Sequence, residues 1–253
     1  MTSEGTAPVL TARPVSTVAE VIGRLGGIKS ALAGRGPRNG MYWFSHLYVV
    51  ITENVQAKIN GGRFFADNEY LTALDVAFAN RYLDAVRAHA RREAAPEVWR
   101  LLFDVPADGE ILPVQLAMAG VNAHINLDLA FAVVNACHTL DRKDIDSGAQ
   151  KADYDKVNTI FAEEMDRLLH ELARGYSAHP GASAVSPALE MERVSVLERL
   201  ANRIVVLARG AAWENAGHLW PFDPGSGPWR LQERMMDEVA ATLSRALLVN
   251  LPG

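Results

Sequence analysis

The residues best suited to chemistry in this chain are His124 and Asp128, in the stretch GVNAHINLDLAFAVVNACH at 120–138. Between positions 111 and 140 Asp128 is the only formally charged residue. A carboxylate buried in such surroundings is costly unless it is paired, protonated or bound to metal. The spacing His-x-x-x-Asp sets the two side chains one helical turn apart on one face. That geometry suits two ligands of a Zn or Fe ion, a carboxylate steering an imidazole general acid/base, or an ion pair that only fixes packing.

Other residues extend the constellation. Asp75 lies inside the apolar stripe of its segment, between Leu71 and Phe78, and is expected to point inward. His46 shares a largely apolar face with Tyr42 and Val50. His46, Asp75, His124 and Asp128 therefore read as a candidate metal set, with His124, Asp128 and Asp75 as the catalytic candidates. On an ideal helix Asn135 and His138 fall on the face of His124 and Asp128, whereas Asn122 and Asn126 lie opposite. Arg81 could pair with a substrate carboxylate or phosphate. With Asn122, Tyr82 and Trp220 it forms the candidate substrate-binding group. Asp166 and His170 have the same four-residue spacing, but Glu163, Glu164, Arg167 and Glu171 around them read as a solvated face.

The elements that must position these residues are helical throughout. Apolar residues recur at three- and four-residue intervals, and alternation of the β type is scarce. The first helix opens at Thr17 with capping-box spacing to Glu20 and continues through Val21, Leu25, Ile28 and Leu32. A second carries Tyr42 to Ile51, and a third starts at Asp67 and runs through Leu71, Leu74, Phe78 and Tyr82. A short helix follows Pro96. The segment from 111 to about 140 is apolar on every side, the pattern of a buried central helix. Asp153 or Asp155 is expected to cap the next helix. Two more run from Leu189 to about Trp213 and from Trp229 to about Leu247, and the stretch GYSAHPGASAVSP between 175 and 187 reads as a linker or lid. The expectation is all-α: one domain from 16 to 253, a bundle of about seven or eight helices around the 111–140 helix, behind a loose tail at 1–15.

Composition narrows the partners. A net charge of −5 without a basic cluster argues against nucleic acid. Cys137 is the single cysteine and sits among apolar neighbours, so it reads as a buried hydrophobe in a reducing, cytoplasmic setting. Asn122, His124, Asn126 and Asp128 interrupt the one candidate for a membrane span. Motifs for phosphate loops, dinucleotide binding, nucleophile elbows, HExxH zinc sites and paired Glu-x-x-His di-iron sites are absent.

Two resemblances follow from particular blocks. FFADNEYLTALDVAFANRYLDAV and QLAMAGVNAHINLDLAFAVV, with FANRY and NAHINLDLA as the recognisable cores, resemble an uncharacterised bacterial family classed as a domain of unknown function. The likeness covers roughly Val18 to Asn158 and is expected to continue to the C-terminus. More distantly, SHLYVVITENV and LAMAGVNAHINLDL are similar to segments of the helical zinc-dependent phospholipase C and single-strand nuclease superfamily. That likeness implies His46, His124 and Asp128 as metal ligands, with Asp67 or Asp75 as a further carboxylate. The superfamily's Asp-x-x-x-Gln-Pro-x-His continuation is missing after Asp128. Its later His-x-x-x-Glu pair has no counterpart in KADYDKVN, and its N-terminal tryptophan is lacking, so the resemblance implies a one- or two-metal site.

Three functions remain open. The favoured one is an enzyme acting on a small or medium-sized, largely apolar molecule through the His/Asp site, with metal-assisted hydrolysis as its first form. Metal-free cyclase, isomerase or lyase chemistry on His124 and Asp128 is the second. A non-catalytic module that binds an apolar ligand or a protein is the third. A homodimer is the generic expectation for assembly.

Overall fold

The computed structural model describes residues 7–34, 39–106, 111–177 and 187–249, without the side chains of 7, 8, 165, 166 and 168–201. No strand occurs among the described residues, and the all-α expectation holds. After the single turn α1 (Ala7–Leu10) come α2 (Val18–Leu32), α3 (Gly40–Asn60), α4 (Asn68–Arg91) and the short α5 (Glu97–Phe103). The central helix comprises α6 (Pro113–Ala123), a π-helical turn at His124–Asp128 and α7 (Leu129–Thr139). Then follow α8 (Gln150–Ser177), α9 (Pro187–Leu219) and α10 (Gly227–Leu247).

Local chemistry sets the helix ends. Thr17, Asn39, Asp67 and Ser226 each accept a hydrogen bond from a backbone N–H of the first turn of α2, α3, α4 and α10 respectively. The helix after residue 149 departs from expectation. It begins at Gln150, ahead of Asp153, and Asp153 is fully buried. Its Oδ2 accepts from the backbone N–H groups of Ala66 (2.8 Å) and Asp67 (2.6 Å), so the carboxylate serves the entry to α4 rather than its own helix. The N-terminal segment is docked from Ala7 onward: Val15 is buried and exchanges two hydrogen bonds with the side chain of Asn80, each 2.9 Å.

The central helix is sheathed by α3, α4, α9 and α10. Its 27 residues are long and apolar enough to cross a bilayer by composition alone, yet 89% of its most apolar stretch is buried inside the bundle. Gly120 permits the closest approach. A Cβ there would fall within the side chain of Phe44, so glycine alone lets α3 press its aromatic face against α6.

The π turn explains one departure from the helical projection. Its extra residue per turn rotates everything beyond Asp128 relative to an uninterrupted α-helix. His138 consequently lies exposed against Trp220, with ring centroids 4.6 Å apart, and Asn135 is only half-buried. Neither joins His124 and Asp128.

Candidate acid–base site

Three elements build the site. The π turn contributes His124 and Asp128, α4 contributes Asp75, Phe78 and Arg81, and α3 contributes Phe44 and Tyr48. Asp128 is 1% exposed, and its two oxygens are divided among three donors. Oδ1 accepts from Nε of Arg81 at 3.0 Å. Oδ2 accepts from the indole N–H of Trp99 at 3.1 Å and lies 3.2 Å from Nδ1 of His124. Arg81 continues the chain to Glu233 of α10 at 2.6 Å and rests over the ring of Phe131. Burial works against the Arg81 charge, but Asp128 and Glu233 hold its pKa above the ordinary value. The sequence question about a carboxylate in the apolar helix thus has a physical answer: Asp128 is fully satisfied, and it orients an imidazole.

His124 is enclosed by aromatic rings. Phe78 stacks on it with centroids 3.3 Å apart and planes within 9°, and Tyr48 meets it edge-on at 4.7 Å. Burial pushes the His124 pKa below its usual value, against the opposing pull of Asp128. The neutral imidazole that results donates Nδ1–H to Asp128 and keeps a lone pair on Nε2. Nε2 is buried with no hydrogen-bond partner.

A cavity of about 70 Å³ lies between α3, α4, the π turn, α8 and α9, lined by His124, Asp75, Tyr48, Phe78, Arg209 and a shell of Leu, Ile, Val and Phe side chains. At ~10–15 Å³ per water, that is room for several waters or a small organic molecule. Asp75 is 9% exposed, its Oδ2 has no partner, and burial raises its pKa to about 7. The hydroxyl of Tyr48 is likewise buried and unpartnered, and burial together with the nearby Asp75 and Asp128 carries its pKa well up. One apolar chamber therefore gathers an imidazole nitrogen, a carboxyl oxygen and a phenol, all without partners.

The other candidates fall elsewhere. His46 stands on a different face of α3, half-buried, parallel to the ring of Tyr42 and edge-on to Trp43. Among the described residues no group of three or more His, Cys, Asp or Glu side chains is placed to hold a metal. Asp128 already has three donors and His46 stands apart, so the described residues do not assemble the Zn or Fe ligand set that the spacing suggested. Asp67 caps α4 and pairs with Arg142 at 2.8 Å, which leaves Asp75 as the carboxylate of the chamber.

Asn122 does not line the chamber; its amide bonds to Ala240 O (2.8 Å) and Ser244 Oγ (2.9 Å), tying the central helix to α10. Tyr82 is fully buried behind Phe44, its hydroxyl 2.8 Å from Ser45 Oγ. Trp220 packs on His138, away from the chamber. The expected solvated face on α8 is broken by Glu164, which is 3% exposed and accepts from Asn54 at 3.0 Å because α8 packs on α3 there. The side chains of Asp166 and His170 lie outside the described residues.

Several site residues had no signature in the sequence. Trp99, Glu233 and Arg209 reach the site from separate helices across long stretches of chain, and no local spacing connects them to His124. Phe44 and Tyr48 were legible in principle, since their four-residue spacing marks an apolar face of α3.

Fold and site together define an all-α protein with a buried aspartate-held histidine facing an apolar chamber. The chain belongs to a family of unknown function, DUF5995, whose model matches residues 18–250. Neither the curated proteins nor the solved structures contain a match to it.

Proposed function

We propose that this protein is a general acid–base enzyme of the isomerase or lyase type, acting on a small, largely apolar molecule that carries one carbonyl group. The observation that carries this reading is the shared chamber: His124 Nε2 and Asp75 Oδ2 are both buried and unpartnered on its lining, and burial raises the Asp75 pKa to about 7 while lowering that of His124, so each group is held toward its uncharged form. Such pairing of environments is how acid and base roles are assigned within one site.

In this scheme the protonated fraction of Asp75, or the Tyr48 hydroxyl, donates a hydrogen bond to the substrate carbonyl oxygen. Nε2 of His124 takes a proton from the adjacent carbon, and the electron pair moves onto that oxygen as an enolate held by that hydrogen bond. Return of the proton at a different carbon gives the isomer. Expulsion of a β substituent instead gives an unsaturated product. Asp128 stabilises the imidazolium formed on the way, and Arg81 with Trp99 keeps Asp128 in place.

The test is incubation of small ketones, enones and aldehydes with the protein in D2O, following deuterium uptake by NMR for wild type, His124→Gln and Asp75→Asn. Uptake that both folded variants lose supports the reading. No uptake from any compound, with no ligand-induced melting shift, counts against it. That result favours the second reading, a non-catalytic helical module. The complete hydrogen bonding of Asp128 and the tight Phe78–His124 stack are what a packing network alone would also show.

A further inference from the structure

The outer face of α10 bears an apolar ridge that is left exposed among the described residues. Leu231, Met235, Val239 and Leu243 recur every four residues and are 52%, 53%, 61% and 47% exposed. The opposite face of the same helix, with Trp229, Met236 and Ala240, is buried against the bundle. A ridge of this period is the element that interdigitates with a like ridge on another helix, at a crossing of about −50°. Contiguous exposed apolar side chains on this scale mark an interaction surface.

The ridge is symmetric about its own midpoint. Antiparallel pairing with an identical helix sets Leu231 opposite Leu243 and Met235 opposite Val239, so a twofold axis beside position 237 makes the surface its own complement. The charges agree with that pairing. Arg234 and Glu238 flank the ridge on one side, both are exposed, and neither has an ion-pair partner among the described residues. The twofold axis keeps that flank on the same side in both copies. Each Arg234 then falls beside the other copy's Glu238, giving two equivalent pairs. An anionic membrane is a poorer fit, because Glu233, Asp237 and Glu238 offset Arg230, Arg234 and Arg245 along the helix.

We infer that the α10 ridge is a homodimer interface in which two copies of this chain pack antiparallel, with Arg234 of each against Glu238 of the other. The interface is continuous with the candidate site, since Glu233 lies between Arg234 and the buried face and holds Arg81. A single helix pair buries little area, so the dimer is weak and concentration-dependent.

Sedimentation equilibrium on the full chain tests this. The expected result is a mass that rises with concentration from 27.6 kDa toward twice that value. Arg234→Glu weakens association by at least about tenfold by placing like charges together, and the swap Arg234→Glu with Glu238→Arg restores it. Met235→Glu abolishes it with an unchanged melting temperature, because the side chain is exposed in the monomer. A wild type that stays monomeric at all concentrations overturns the inference. So does a dimer that ignores these variants but is dissociated by Leu207→Glu, which would place the contact on α9.

Discussion

Nδ1 of His124 lies 3.2 Å from Oδ2 of Asp128, one turn along the same helix, and the other ring nitrogen is left buried without a partner. One carboxylate thus fixes the tautomer and leaves Nε2 as the acceptor. Asp128→Asn removes the charge that holds Arg81 and Trp99 as well. Urea unfolding is expected to show a loss of about 3–5 kcal/mol, the range for breaking a buried ion pair. In ¹⁵N NMR the His124 ring changes from a single Nδ1–H tautomer to a mixture. A single unchanged tautomer would show that Asp128 does not orient the ring.

Asp75 supplies a pH signature. Its folded pKa of about 7 lies above the value near 3.9 expected in the unfolded chain. Between these limits the folded state holds the proton more tightly, so this contribution to stability is full below about pH 4 and is lost as pH rises through 7. Asp75→Asn removes that decline and stabilises the protein above pH 7 by a few kcal/mol relative to wild type. His124 acts with the opposite sign: its depressed pKa makes stability fall as pH drops below 6.5. Thermal melts of both proteins from pH 4 to 9 separate the two contributions, and parallel curves would refute the Asp75 assignment.

Trp99 donates to Asp128 while its ring packs against Phe44 and Tyr82. Trp99→Phe keeps much of the packing and deletes the donor. A loss of about 1.5–3 kcal/mol is expected from a hydrogen bond to a charged group, together with some lost volume. Trp99→Phe combined with Asp128→Asn should cost less than the sum of the two, which a double-mutant cycle measures.

Gly120→Ala tests the close approach of α3 to the central helix. The added methyl meets the Phe44 side chain, which is 2% exposed and packed between α6 and the rings of Tyr82 and Trp99. Destabilisation of about 1–3 kcal/mol is expected from overpacking, although alanine is the better helix former. Phe44→Leu in the same chain should recover part of it.

Much of this architecture is legible in the sequence because helical periodicity records burial directly. Leu25, Ile28, Leu71, Leu74 and the whole run around Phe131 are buried as their spacing implies. The His124–Asp128 contact and the inward Asp75 are legible for the same reason. The projection failed where the helix is not an α-helix. The π turn is invisible to a 100° wheel, and with it the fates of Asn135 and His138 were misplaced. The position of His46 was not legible on a different ground. Helical spacing reports what shares a face within one helix, whereas whether His46 of α3 turns toward the π turn depends on the rotation of a neighbouring helix. For the same reason nothing local announced that Arg81 would meet Asp128 or that Glu233 would meet Arg81.

The attachment of α10 bears on the order in which the site is assembled during synthesis. Besides Glu233, this helix provides Asp237, whose carboxylate accepts from the first backbone N–H groups of α5 at 2.8 and 2.9 Å and so seats the helix that carries Trp99. A nascent chain that has released α3, α4, the central helix, α8 and α9 already has His124, Asp75 and the walls of the chamber. It lacks the clamp on Arg81 and the anchor of Trp99 until α10 emerges. The histidine is therefore present early and oriented late, and premature termination before Gly227 would yield a chain with every chamber group and no rigid hold on them.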